Sequence, residues 1–437
     1  MTHVTVVGAG FAGCEAAWTL AQNGIPVTLW EMKPQKFSPA HHSPDFAELI
    51  CSNSFKASRL ESAAGLLKAE MERLGSLCVP CAKETAVAAG GALAVDRDRF
   101  SALVTEKIRN HPLITVREGE ITEIPDGNVI IATGPLTSEA LSAAIGELIS
   151  AEYLSFFDAA APIVEASSID MDKVFFAARY GRGDDDYINC PFDKESYEKF
   201  AEELANAESV ELKEFEKRDF KVYEGCMPIE VMARRGADTM RFGPLKPVGL
   251  RDPKTGHRPW AAVQLRRENE AGTLYNIVGF QTNLKFPEQK RVFSMIPGLE
   301  HAVFARYGVM HRNTFMNSPK LLHADFSLRS DPRIFFAGQM TGVEGYMESA
   351  SSGLIAGIAM ARRLRGLPPL ELPETTMLGA LTRYISSSTA EDFQPMGSNM
   401  GILPPLPEKI KGKAERYGAL AARAMQDLEQ TLRDLEA

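Results

Sequence analysis

The sequence predicts an α/β fold: a parallel sheet wound by helices, assembled from both ends of the chain and interrupted by an inserted α+β domain. Three observations carry this. "HVTVVGAG" is a buried strand that runs into a glycine turn and an alanine-rich helix. "NVIIATG" and, much later, "RIFFAGQMTG" repeat the pattern of apolar strand closing on glycine. Between the last two, from about residue 150, charged helical and alternating patterns take over. A chain of 437 residues is also too long for one growing hydrophobic core, so two domains are expected. We assign 1–150 and 325–437 to the discontinuous sheet domain and 151–324 to the insertion.

In chain order, residues 3–31 read as strand, helix, strand, with the helix ending near Gly24 and "IPVTLWE" forming the second strand. That is one βαβ unit of a parallel sheet. Residues 32–95 are rich in Pro, Ser, His and Gly and are expected to be irregular apart from a helix near Ala63–Leu74. "DRDRFSALVTEKIRN" follows as a helix and "NVIIATG" as a buried strand. In the insertion, "FDKESYEKFAEELANAESVELKEFEKR" is a charged helical stretch. "VQLRRENEAGTLYNIVGFQTNL" alternates apolar positions about a turn at Ala271-Gly272, the mark of an antiparallel hairpin. "YMESASSGLIAGIAMARRL" is a small-residue helix of the sheet domain, and a charged helix ends the chain after Pro405.

Composition excludes several classes. No apolar run is long enough to cross a bilayer, and Val4, Val6 and Val7 lead straight into glycines, so the first residues read as a strand rather than a signal peptide. Six cysteines in no framework spacing predict a reducing, cytoplasmic setting, and no metal-ligand pattern is expected. The net charge is −9, but residues 230–320 hold 15 Lys and Arg against 7 Asp and Glu, a local +8 that leaves −17 elsewhere. Such asymmetry fits a face that meets a phosphate backbone; a solvated face or a cradle for an anionic cofactor would show it equally.

"GAGFAG" places Gly8, Ala9, Gly10, Phe11, Ala12 and Gly13 between a strand and a helix, as G-x-G-x-x-G requires. The first glycine permits the tight turn and the second a close approach of backbone to pyrophosphate. The third lets helix and sheet pack closely, with the helix N-terminus facing the phosphates. Glu31, ending the second strand 23 positions after Gly8, stands where a carboxylate accepts hydrogen bonds from a ribose. A dinucleotide site follows. "VIIATG", ending at Gly134, and "RIFFAGQMTG", with Gly338, resemble the later motifs of FAD enzymes of the glutathione-reductase type. FAD rather than NAD is therefore the expected occupant.

Four cysteines bear on chemistry. Cys78-Val-Pro-Cys81 has thiol–disulfide spacing in a stretch read as irregular, and either a flavin-linked redox pair or coincidence would produce it. Cys51 in "ELICSNSF" stands where a strand-like run gives way to a loop rich in hydroxyl and amide groups. Cys226 in "YEGCMPIEVMARRG" precedes Pro228 and a helical pattern, so a helix N-terminus and Arg234 and Arg235 would favour its thiolate. Each is a candidate nucleophile; each is also the kind of small side chain that fills a core.

"VVGAGFAGCEAAWTLAQNGIPVTLWEMKP", "CSNSF", "GGALAVDRD", "ATGPLTS", "YGVMHRNTF" and "FFAGQMTGVEGYMESASSGLIAG", with "FQPM" near 393, together resemble the folate- and FAD-dependent tRNA uracil-5-methyltransferase family over nearly the whole chain. The GidA family of tRNA wobble-uridine enzymes is the neighbouring group, longer by a C-terminal helical domain. The resemblance implies methylation of C5 of the T-loop uridine of tRNA. Methylenetetrahydrofolate would be the carbon donor and FADH2 the reductant, with FAD reduced by NADH or NADPH. It implies Cys226 as the nucleophile that adds to uracil C6, Cys51 as the base that removes the C5 proton, and Tyr346 as a ring stacked on the flavin. "HRNT", His311–Thr314, would contact folate or RNA, or else form a strand-end turn. Basic residues between Arg234 and Arg291 are candidates for tRNA phosphate contacts, and the target base is expected to be extruded from its stack.

Overall fold

Strand β1 (Val4–Val7) lies at the middle of a five-stranded sheet in which every neighbour runs parallel. A computed structural model of the chain describes residues 3–150, 153–159, 161–181, 186–210, 227–387 and 393–436. On one side of β1 lie β2 (Val27–Glu31) and then β6 (Ile114–Glu118); on the other lie β7 (Asn128–Ile131) and then β16 (Ile334–Phe336). Chain order reverses at β1, and ligands of open α/β sheets bind beyond the strand C-termini at such a reversal. Continuous apolar runs such as Val129–Ile131 and Ile334–Phe336 form these strands because both faces are covered.

Helix α1 (Phe11–Gln22) is nearly fully buried, between the sheet and the helix Tyr346–Leu364. Their crossing is tight: a Cβ at Gly353 would stand 2.0 Å from the Ala12 carbonyl oxygen, and only glycine fits. The small-residue texture of both helices thus permits backbone contact. The stretch 32–95 is more ordered than its composition predicts. It holds β3 (Ser54–Ala57), β4 (Ala86–Val87) and β5 (Ala92–Val95) in a small antiparallel sheet, with helices α2 (Ala63–Arg73) and α3 (Cys78–Glu84). Helix α4 (Arg97–Arg109) begins at an Asp96 cap that accepts the Arg99 N–H at 3.2 Å.

The chain crosses to a second body along β8 (Tyr153–Ala159) and returns along β15 (Met310–Met316). The two strands pair antiparallel in register from Ala159–Met310 to Tyr153–Met316. Beyond them stands a six-stranded sheet containing β9 (Ile163–Glu165), β10 (Phe175–Phe176), β11 (Tyr187–Phe192), β12 (Ala261–Arg267), β13 (Leu274–Ile277) and β14 (Phe304–Arg306). The β12–β13 hairpin turns through Gly272, at φ +65°, as the sequence predicts. This body has its own core, from Val164 to Ala302, including Phe200, Phe280 and Phe293. Residues from Phe315 onward pack into the first core. The C-terminal helix Lys413–Glu436 docks on that core through Leu420, Ala421 and Ala424, with Arg73 paired to Glu429.

Candidate active site

The glycine turn after β1 opens into a cleft lined by residues that follow β1, β2, β7 and β16. Gly8 has φ +96°, and a Cβ there would stand 2.7 Å from the Ala132 carbonyl oxygen. At Gly10 a Cβ would meet nothing within 4 Å, so the backbone faces open space where a phosphate can approach. Gly13 lies outside the cleft. Its missing Cβ would sit 1.8 Å from the Gly8 carbonyl oxygen, so it serves helix–strand packing. Ala9, Phe11 and Ala12 line the cleft with Gly8 and Gly10.

Glu31 is buried at the cleft wall, with one carboxylate oxygen accepting the Ala9 N–H at 2.8 Å and the other the Lys33 N–H at 3.0 Å. Those bonds aim the carboxylate, and lone pairs remain for ribose hydroxyls. Gly134 (φ +71°) and Gly338 (φ +85°) line the opposite side, and the Gly338 N–H donates to the Ser352 hydroxyl at 2.6 Å. Sequence reasoning missed His41 on this wall; its imidazole is pushed down by burial and by Lys33. The residues present fit a bound dinucleotide: an open glycine approach, a helix N-terminus and a fixed carboxylate.

At the far end of the cleft stands Tyr346, the first residue of its helix, after Gly345 at φ +124°. Its ring stacks on Phe11 at 4.9 Å between centroids, and Phe11 stacks in turn on Phe100. Its hydroxyl accepts the Cys51 N–H at 2.8 Å and lies 3.1 Å from the Cys51 sulfur. Burial and the neighbouring Cys51 push the Tyr346 phenol well up, so it stays protonated. One step further into the same helix, the buried Glu348 accepts from Lys56 Nζ at 3.0 Å and from Ser398 N and Oγ at 2.9 and 2.7 Å. Although burial opposes it, these partners hold the Glu348 carboxyl below its usual value.

The Cys51 loop is not the strand end that its sequence predicts. Residues 49–53 have no ladder pairing; arginines from three elements hold them instead, two by the backbone and one by side chains. Arg97 of α4 donates to the Leu49 carbonyl and to that of Cys51 at 3.2 Å, while pairing with Glu268. Arg306 of β14 donates to the carbonyls of Ile50 at 2.6 Å and Cys51 at 3.4 Å. Arg266 of β12 donates to the Ser52 hydroxyl at 2.8 Å and to the side-chain amide oxygen of Asn53 at 3.0 Å. Asn53, fully buried, donates onward to the Val95 and Arg267 carbonyls, both at 3.0 Å. The loop is thereby bolted to both bodies, with Cys51 at their junction.

The other cysteine readings divide. Cys226 lies outside the described residues; the helix predicted after it is present as Ile229–Arg234, with Pro228 at its N-cap. Cys78 and Cys81 are in helix α3 rather than an irregular stretch, and both are fully buried. Desolvation pushes Cys81 up to about 12 and raises Cys78 well above the ordinary thiol value, so neither is a ready thiolate and the packing does not favour the disulfide-reductase alternative. Cys14 is buried in α1. His311–Thr314 lie within strand β15 rather than in a turn at its end. Among the described residues no helix is long and apolar enough to cross a membrane.

A reversed parallel sheet, a glycine cradle facing a fixed carboxylate, and a thiol held where two bodies meet define a dinucleotide-dependent enzyme of the doubly wound class. The family model described as Glucose inhibited division protein A matches residues 3–368. Methylenetetrahydrofolate--tRNA-(uracil-5-)-methyltransferase TrmFO of Enterococcus faecalis is 58% identical over 433 residues, 99% of both chains. Its namesake from Heliobacterium modesticaldum is 58% identical over 428 residues, covering 98% of this chain and 97% of that protein. The solved structure of Aquifex aeolicus GidA in its form II crystal superposes with a TM-score of 0.71 at 15% identity, covering 98% of this chain and 73% of that one, a likeness of fold. The chain belongs to the GidA family and, within it, to the TrmFO group.

Proposed function

We propose that this protein methylates C5 of the T-loop uridine of tRNA, in the cytoplasm, taking its carbon from methylenetetrahydrofolate. NADH or NADPH would reduce a bound FAD. The name shared by relatives 58% identical over their full length supports the reaction. What carries the reading in this chain is Cys51, fixed at the junction where the cleft's far end meets the second body.

Gly8, Gly10 and Glu31 would hold the diphosphate and ribose of FAD, with Gly134, Gly338 and Tyr346 lining the rest of the same cleft for its ring end. Bound and reduced, FAD supplies the hydride that completes the methyl group. The remaining steps belong to cysteines. Uracil C5 is a poor nucleophile until the Cys226 thiolate adds to C6 and pushes electron density onto C5 as an enolate. After the one-carbon unit bonds to C5, Cys51 removes the C5 proton as the unit's nitrogen carrier departs; once the resulting methylene has taken the hydride, Cys226 leaves C6 and the C5–C6 double bond is restored. Reaching C5 and C6 requires the base to leave its stack, and basic residues between Arg234 and Arg291 hold the surrounding phosphates.

The test is reconstitution: protein, FAD, NADH, methylenetetrahydrofolate and unmodified tRNA, with nucleosides mapped by mass spectrometry. The expected product is 5-methyluridine in the T-loop, abolished by Cys226→Ala. Modification at the wobble position instead, or no product with all components saturating, overturns the reading.

A further inference from the structure

Three guanidiniums, Arg97, Arg266 and Arg306, converge on the Cys51 loop, and among the described residues Glu268 is the one carboxylate paired with them. All of this is sheltered: the Arg97 side chain is 14% exposed, Glu268 3% and Arg266 7%. The other charged groups around the loop are matched. Glu48 faces Lys33 at 3.5 Å, Lys56 faces Glu348 at 3.0 Å, and Asp96 accepts the Arg99 and Glu270 N–H groups. A surplus of buried positive charge is costly unless an anion neutralises it.

The strain of this crowding is visible in the arginines. Burial and the adjacent Arg306 push Arg97 down to about 10, and burial lowers Arg266 and Arg306 as well. In each case a negative charge on the Cys51 sulfur works the other way and favours the guanidinium. Arg306 Nε is buried with no hydrogen-bond partner among the described residues. Two phenols stand close enough to supply an anion, but burial pushes both Tyr346 and Tyr187 up, and they remain neutral. Among the described residues, the Cys51 thiol is the acid that remains beside these guanidiniums.

We infer that Arg97, Arg266 and Arg306 are positioning residues that hold Cys51 as a thiolate at neutral pH, oriented by Tyr346. This rests on the proton-abstracting role proposed above for Cys51 and supplies what that role lacks: a thiol already deprotonated before substrate arrives. The proton leaves to solvent when the site assembles, and the thiolate takes the C5 proton in its place. Because Arg97 and Arg306 grip the backbone carbonyls of residues 49–51 and Arg266 the side chains of Ser52 and Asn53, position and charge are set together.

The experiment is the pH profile of Cys51 alkylation by iodoacetamide in the FAD-loaded protein, followed on the Cys51 peptide by mass spectrometry. The expected half-maximal pH lies well below the ordinary thiol value of about 8.5. In Arg306→Met or Arg97→Met it moves up by about one or more, so that the rate at pH 6.5 drops about tenfold. In Arg306→Lys, which keeps the charge, it stays near the wild-type value. A merely structural arginine alters the plateau rate through access without moving the midpoint. An ordinary midpoint in the wild type overturns the inference even if the arginine variants do not fold; so does an unchanged midpoint in both methionine variants. A low midpoint together with full methylation by Cys51→Ala leaves the thiolate standing and removes the proton-transfer role instead.

Discussion

The Tyr346 hydroxyl accepts the backbone N–H of Cys51 at 2.8 Å and lies 3.1 Å from its sulfur, joining the cofactor cleft to the loop between the two bodies. One side chain thus spans two tasks, its ring facing the cleft and its hydroxyl fixing the thiol.

Tyr346→Phe separates those tasks. The ring and its stack on Phe11 remain, while the Cys51 N–H loses its acceptor. Methylation in single turnover is expected to slow by about tenfold, the value of one buried hydrogen bond. FAD affinity, read by flavin fluorescence, is expected to change less than about threefold.

Gly10→Ala and Gly353→Ala should fail in opposite ways. A methyl at Gly353 drives into the Ala12 carbonyl oxygen, and the protein is expected to lose about 1–3 kcal/mol in urea unfolding. At Gly10 the methyl meets no protein atom within 4 Å, so stability holds. The methyl instead occupies the phosphate approach, and FAD affinity should fall by about tenfold or more.

Glu70 is buried in α2, where its carboxylate caps the helix Met377–Ser387 by accepting the Met377 and Leu378 N–H groups, each at 2.8 Å. Burial pushes it up to about 7 despite those bonds. The folded state therefore keeps this proton to higher pH than the unfolded chain, and stability should fall as pH rises from about 4.5 to 7. Glu70→Gln is expected to flatten that fall by on the order of 2 kcal/mol, measured as the difference in urea unfolding between pH 5 and pH 8.

Lys246 and Arg251 are exposed on the second body, as is Phe242 in the same stretch of chain. If they contact phosphates, Lys246→Ala and Arg251→Ala should each reduce the slope of log affinity against log salt for tRNA by about 0.7–0.9, with kcat at saturating tRNA unchanged. An unaltered slope in both assigns the phosphate contacts elsewhere in the basic segment.

The dinucleotide cleft was readable because its parts are local. Strand, glycine turn and helix occupy residues 4–22, and Glu31 follows within the same βαβ unit. The arginine cluster was not. Arg97, Arg266 and Arg306 reach the Cys51 loop across 46, 214 and 256 positions, and no spacing rule connects them. Stretch 32–95 reads as irregular from its scatter of Pro, Ser, His and Gly. Yet Pro80 sits in the first turn of α3, where a missing N–H costs nothing, and the helix forms around it. The same misreading left Cys78 and Cys81 open as a redox pair, although tertiary packing seals both.

Strands β8 and β15 lie side by side in register, so the chain leaves the first body and comes back to it through adjacent points. A body tethered at one doorway can gain, lose or exchange surface segments across evolution without disturbing the threading of its host. Grafts that swap residues between Ala159 and Met310 among related proteins should therefore leave the five-stranded parallel sheet intact, provided that Arg266, Glu268 and Arg306 are kept.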